Sequence, residues 1–309
     1  MVNGEWLRRV EGSTITNATV NDGQLWNWEG STITNATVNG GQLGNWDGST
    51  ITNATVNNGR LDSSGTVANA TVNGGILYSN GAIDNATLND GVLRSSGTID
   101  NATQYGGSIY NTGWIETLEY FDGYYEDSDG SRGPRGVIGT LIIAGELYVG
   151  SNWGTVENLQ FSENGSGALV FAAYAGGGFS SINALNVDLT FGNILLDLSD
   201  VVGIFDDYWA TAFFDAFGYE DGFYLSSLFN TQMFSGLEDL ASFGVTWGEN
   251  SFWILNDGVF GTGWNIDYDT SWVSWDGHID DSPTTPEPAT LLILGLGAIG
   301  AGFVARRRK

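Results

Sequence analysis

The chain has 309 residues, of which 46 are glycine, one is histidine and none is cysteine, and its 36 acids against 10 cations give a formal net charge of −26. Without cysteine there are no disulfides, no thiolate metal sites and no thiol nucleophile. So acidic a surface repels the phosphates of DNA and RNA, which argues against a nucleic-acid partner, and it attracts cations, Ca²⁺ in particular.

The chain does not open on a signal peptide, because Met1 to Arg9 holds no apolar run. Val2 to Leu7 instead aligns without a gap to Val20 to Leu25, so Met1 falls inside a repeat. The expectation is a sequence that starts late, with further repeats and a signal peptide upstream.

From Gly12 onward the chain repeats itself. Asn-Ala-Thr triplets begin at Asn17, Asn35, Asn53, Asn69, Asn85 and Asn101, at intervals of 18, 18, 16, 16 and 16. Each copy has three apolar points, such as Ile83, Leu88 and Leu93, before Ile99 of the next. Steps of five or six residues fit one brief strand and a turn, and do not fit a 3.6-residue helical stripe. Three inward points per copy predict one rung of a three-sided parallel β-solenoid, whose stacked rungs share a continuous core. Gly at the corners supplies positive φ. Stacking should set the six Asn residues in one hydrogen-bonded ladder, with Thr19 through Thr103 in a parallel Thr ladder. In texture the repeats resemble the β-helical regions of bacterial autotransporters and surface adhesins.

Gly113 to Leu118 reads as a degenerate rung, and residues 121–136 break the period with an acidic insertion. Asp127-Ser128-Asp129-Gly130 opens like many Ca²⁺ loops, so Asp127 and Asp129 are candidate calcium ligands. No bidentate Glu follows, and Arg132 and Arg135 lie close by, so solvated acids are the competing reading. Asp276, Asp280 and Asp281 form a second, looser acidic cluster. Gly145 to Tyr148 and Gly154 to Phe161 recover the rung. The stretches around Ala168, Leu185 and Ile194 are further rungs or a closing cap. The predicted solenoid covers residues 1–200.

Residues 201–282 hold 20 aromatics, 14 acids and no Lys or Arg. Ile204, Phe205, Tyr208, Trp209, Ala212, Phe213, Ala216 and Phe217 recur at helical spacing, with Gly218 as a stop. The segment reads as an aromatic acidic cap with one short helix, sealing the solenoid end.

Catalysis is hard to build here. His278 stands alone and no Lys precedes Lys309, so a Ser-His-Asp arrangement has no support. Carboxylate pairs such as Asp206/Asp207 or Asp267/Asp269 could serve a glycan-cleaving enzyme, with a solvated acidic surface as the plain alternative. Arg60 and Arg94 sit at different rung positions and form no evident cluster. Trp6, Trp26, Trp28 and Trp46 near rung corners suit either sugar stacking or packing on a neighbouring rung. Thr-x-Thr steps at Thr14, Thr32 and Thr50 look like an ice-binding array, although threonine's β-propensity also explains them. The Asn-Ala-Thr triplets match the glycosylation acceptor as well, and ladder repetition is the simpler account.

The last 27 residues are of a different kind. Pro286-Glu287-Pro288 precedes an uncharged run from Ala289 to Ala305, and Arg306, Arg307, Arg308 and Lys309 end the chain. Seventeen residues as a helix span roughly 25 Å, the short end of what crosses a bilayer. The cations would hold that end in the cytoplasm. Motif, apolar run and basic end, in that order, resemble the PEP-CTERM sorting signal of diderm bacteria. The resemblance covers residues 283–309 and implies export, retention in the inner membrane and processing by an exosortase-type enzyme.

The sequence therefore predicts an all-β exported surface protein. Its expected role is structural or adhesin-like, in the extracellular polysaccharide matrix, with exopolysaccharide as a partner, no catalysis, and no cofactor apart from candidate Ca²⁺. The alternatives are a carbohydrate-active β-helix enzyme and an ice-binding surface protein.

Overall fold

The computed structural model describes residues 6–8, 12–126, 136–149, 154–164, 167–172 and 180–197. Further on it describes 222–224, 226–229, 231, 234–235, 242–247, 250–255, 264–267 and 272–275. The expected helix at residues 204–217, the calcium candidates Asp127 and Asp129 and the whole sorting tail lie outside the described residues.

The described chain is a parallel β-solenoid. From Thr14 to Asn111 each rung has a seven-residue strand and a four-residue strand, for example Ala82–Leu88 and Val92–Ser95. The long strands form an 11-stranded sheet, and the short ones an eight-stranded sheet followed by a five-stranded one. Pairing is parallel and in register, as in Ile83↔Ile99 and Leu93↔Ile109. The earliest described strand, Trp6–Arg8, pairs Leu7 with Leu25, as the sequence alignment requires.

The third side comes from a bend. Ile83, Ala86 and Leu88 are buried while Asp84 and Asn85 are both exposed. Strict alternation would send only one of those two residues outward, so the strand turns a corner there. The rung thus has three straight segments, ending with Val92–Ser95. Ile83, Leu88 and Leu93 are each about 1% exposed and belong to one continuous core.

Two kinds of glycine permit the tight stacking. Gly75, Gly91 and Gly107 turn with φ of 71°, 88° and 69°, a region L-residues avoid. Gly97 is needed for space, since a Cβ there would lie 1.9 Å from the Gly81 carbonyl oxygen.

The change from 18 to 16 residues falls in one turn. Strand Gln42–Asn45 runs through residues 46–49 before Thr50, whereas Arg60–Ser63 needs only residues 64–65 before Thr66. Buried Asn45 holds the longer turn by accepting from the Ser49 hydroxyl at 2.7 Å and donating to the Thr66 carbonyl at 3.2 Å. Ser63 spans the shorter one by donating to the Gly65 carbonyl at 3.2 Å.

The degenerate rung is strand Trp114–Tyr120, in register with its neighbours on both sides. Beyond the insertion the ladder resumes in Val137–Ile143, Glu146–Val149 and Thr155–Phe161. Ala168–Ala172, Asn183–Asp188 and Asn193–Asp197 are rungs, paired in parallel with their predecessors. Parallel pairing continues past residue 200 through Phe234–Ser235 and Ser242–Trp247. Asn250–Leu255 then pairs antiparallel and ends that sheet. A four-residue helix, Ser226–Phe229, buries Leu228 and Phe229, the latter edge-on to Phe171 at 5.2 Å.

Candidate functional site

A solenoid presents surfaces, and two of its faces carry organised polar chemistry. The first follows the bend in the long strand. Asn17, Asn35, Asn53, Asn69, Asn85 and Asn101 share one register column. Each amide Nδ2 donates to the Oδ1 of the preceding rung, at 2.9, 3.0, 3.0, 3.1 and 3.2 Å in chain order. All six are exposed. Thr19, Thr37, Thr55, Thr71, Thr87 and Thr103 form the adjacent column without a break.

Sequence reading missed a second amide ladder beside them. Asn39, Asn57, Asn73 and Asn89 donate in turn to Asn21, Asn39, Asn57 and Asn73 at 2.7–2.9 Å. The recurring Asn after Val20, Val38, Val56, Val72 and Leu88 was the available signal. The ladder gives way to Tyr105, whose ring stacks on Phe121 at 4.7 Å. This face is therefore a flat array, Asn-x-Thr-x-Asn, repeated from rung to rung. The Thr-x-Thr steps lie across the bend on the neighbouring side, with Thr14, Thr32, Thr50 and Thr66 in one column.

The second face is the outside of the short-strand sheet. Trp26 lies over Gly44, where a Cβ would meet its ring at 2.0 Å. Trp28 and Trp46 stack at 4.9 Å and 4°, and Trp46 is 44% exposed. These tryptophans are thus engaged with neighbouring rungs, while Trp6 has no described side chain. Further along, Arg60 and Arg94 do occupy different rung positions, opposite Ile76 and Tyr78 respectively, yet they cluster around one ring. Arg60 sits 4.2 Å over the Tyr78 ring, and Arg94 lies 6.0 Å from the same ring and 4.2 Å over Tyr110. Tyr78 lies on the rung between them and bridges the two columns, which linear spacing hides. Asp62 salt-bridges Arg60 at 2.7 Å and its hydrogen bond holds that guanidinium still more firmly protonated.

A buried polar column runs inside the turn of the same strands. Asn27 donates to Asn45 at 2.9 Å and Asn45 to the Ser63 hydroxyl at 3.1 Å. Near the insertion, burial raises the Glu146 carboxyl above its ordinary range, and Asp122 adds to the effect while a hydrogen bond with Tyr148 opposes it. Burial likewise raises the Tyr120 hydroxyl, which donates to the Gly123 carbonyl at 2.7 Å. Among the described residues no three His, Asp or Glu side chains converge on a metal-sized site.

Residues 284–309 match the PEP-CTERM protein-sorting motif. That match contains Pro286-Glu287-Pro288 and the basic residues Arg306 to Lys309, and it marks an exported protein with a membrane-anchoring sorting signal for exosortase. Neither the curated proteins nor the solved structures hold a match to the chain.

Proposed function

We propose that this exported chain is a structural, adhesive component of the extracellular polysaccharide matrix, holding glycan without turning it over. The observation that carries the reading is the polar array, Asn and Thr columns unbroken over six rungs. Such a face offers many equivalent weak contacts in place of one pocket. A polymer engaging several of them gains avidity, because each added contact acts at high effective concentration. The sorting motif supports the reading by marking the chain for export. The acidic surface adds solubility and sites where Ca²⁺ could bridge to anionic sugars.

The test is to incubate the purified chain with its host's exopolysaccharide, with and without Ca²⁺, and follow co-sedimentation and chain length. Binding at constant chain length is the expected result. Progressive shortening would replace this reading with the enzymatic one, and absence of binding would reject it.

The unbroken Thr19 to Thr103 column also favours a second reading, that the flat face orders water as an ice-binding surface. Thermal hysteresis and faceted ice growth are its signature. The purified chain at micromolar concentration decides it, and ordinary rounded ice growth would dismiss it.

A further inference from the structure

We propose that the outer face of the short-strand sheet binds a carboxylate-bearing polysaccharide, with Arg94 as the residue that grips the carboxylate. The proposal rests on the matrix role above and adds what the matrix glycan must carry.

Residues 12–126 contain two cations, Arg60 and Arg94. Register puts both on this one face, with Arg60 opposite Gln42 and Ile76 and Arg94 between Tyr78 and Tyr110. Their partners differ. Asp62 neutralises Arg60 through its Nε at 2.8 Å and Nη2 at 2.7 Å. Arg94 has rings on either side and no carboxylate partner among the described residues. In a chain with 36 acids and 10 cations, a half-buried arginine left without a carboxylate keeps its donors open for something else.

The tyrosines prepare it for that. Arg94 lies 4.2 Å over Tyr110 with Tyr78 at 6.0 Å, and a guanidinium held over a ring by cation–π attraction keeps its N–H edge as a donor set. A carboxylate fits that planar fork with two parallel hydrogen bonds, and a lone hydroxyl does not. Trp28 and Trp46 each spend one face on the other, and a ring face stacks on charged and neutral sugars alike, so discrimination in favour of a carboxylate falls to the guanidinium.

The geometry suits a polymer. Rungs repeat about every 4.8 Å, on the scale of one sugar, and the face continues from Trp46 to exposed Tyr124. The net charge of −26 does not forbid this partner. At physiological salt the screening length is about 8 Å, so acids on the other sides are damped here, and the acids of Arg94's own column, Asp62 and Glu126, stand two rungs away on either side. A uronate chain has at most one carboxylate per sugar, far sparser than the one charge per about 1.7 Å of duplex DNA.

The test is affinity electrophoresis of the full chain in gels containing alginate, dextran or polyglutamate, with EDTA present to remove Ca²⁺ bridging. Alginate should retard the protein and dextran should not. Arg94→Gln should weaken alginate binding about tenfold or more, Arg94→Lys should restore only a minor part, and Thr98→Ala, exposed on the remaining side, should change nothing. Tyr110→Ser, which removes a stacking ring and keeps the charge, should weaken binding about threefold to tenfold. Unchanged melting of each variant confirms that the fold persists, and a variant that melts early is replaced by Arg94→Met. Equal retardation by dextran, stronger retardation by polyglutamate, or full alginate binding by Arg94→Gln would each overturn the assignment. If Arg94→Gln still binds the host's exopolysaccharide as wild type does, this face is wrong and the matrix role stands. If wild type fails to bind that exopolysaccharide, the matrix role itself is wrong.

Discussion

At the scale of single residues, what an asparagine contributes depends on which side of the strand it occupies. Asn85 is exposed, donates to Asn69 at 3.1 Å and to the Ala68 carbonyl at 3.5 Å, and accepts from Asn101 at 3.2 Å. Water can replace these exposed bonds, so Asn85→Ala should cost about 0.5–1 kcal/mol. Asn45 is 1% exposed and bonds Asn27, Ser49, Ser63 and the Thr66 carbonyl. Asn45→Ala strands several buried partners and should cost about 2–3 kcal/mol. Urea denaturation of the two variants compares them directly, and equal costs would mean that the buried column is not what holds the long turn. Glu146 makes a pH prediction. Its carboxyl is raised by burial, so the folded state disfavours the ionised form more than the unfolded state does. The resulting cost is absent when both states are protonated and grows as pH rises through the unfolded and then the folded value. Glu146→Gln should therefore stabilise the protein at pH 7, with the gain vanishing below about pH 4. A gain that persisted at pH 3 would show that the carboxyl's charge is not its source.

At the scale of one rung, the repeat can be shorter only where backbone touches backbone. Gly97 packs on the Gly81 carbonyl with no room for a Cβ. Gly97→Ala should push the turn off its neighbour and cost about 2–3 kcal/mol, the range for overpacking. The adjacent exposed Ser96, whose hydroxyl bonds Asn80 at 2.8 Å, is the control. Ser96→Ala should cost under about 0.5 kcal/mol. Thermal melts of both variants test this, and comparable losses would contradict the close-approach account. The rung is also where sequence reading succeeded and failed. Ile83, Leu88 and Leu93 were legible as inward points because apolar residues recur there, and the Asn17 to Asn101 ladder because identical residues stack. Ala86 and Ser95 point inward as well, and were passed over because a small or polar residue carries no hydrophobic signal. The arginine–tyrosine cluster was illegible for another reason. Arg60 and Arg94 are 34 positions apart, and only the two-rung register brings both to Tyr78.

At the scale of the molecule, the long-strand sheet passes the insertion without interruption while the short-strand sheet does not. Trp114–Tyr120 pairs directly with Val137–Ile143 across it. The eight-stranded short sheet ends at Tyr124–Glu126, and the next short strand, Glu146–Val149, belongs to the five-stranded sheet. In a stack where each rung contacts only its neighbours, stability is a sum of rung and interface terms. An interface that keeps one of its two ladders is the weakest link. We expect two cooperative units, residues 12–126 and residues 137–197, joined through the long-strand sheet and the shared core but not through the short-strand sheet. Native-state hydrogen exchange in rising denaturant measures this. Amides of Ile83, Leu93 and Ile99 should share one opening free energy, and those of Ile138, Leu159 and Ile194 a lower one. The second group is expected lower because its rungs are interrupted by longer connections, such as the one between Ala168–Ala172 and Asn183–Asp188. One common free energy for both groups would mean that the long-strand sheet and the shared core carry full cooperativity, and that the broken short sheet does not divide the solenoid.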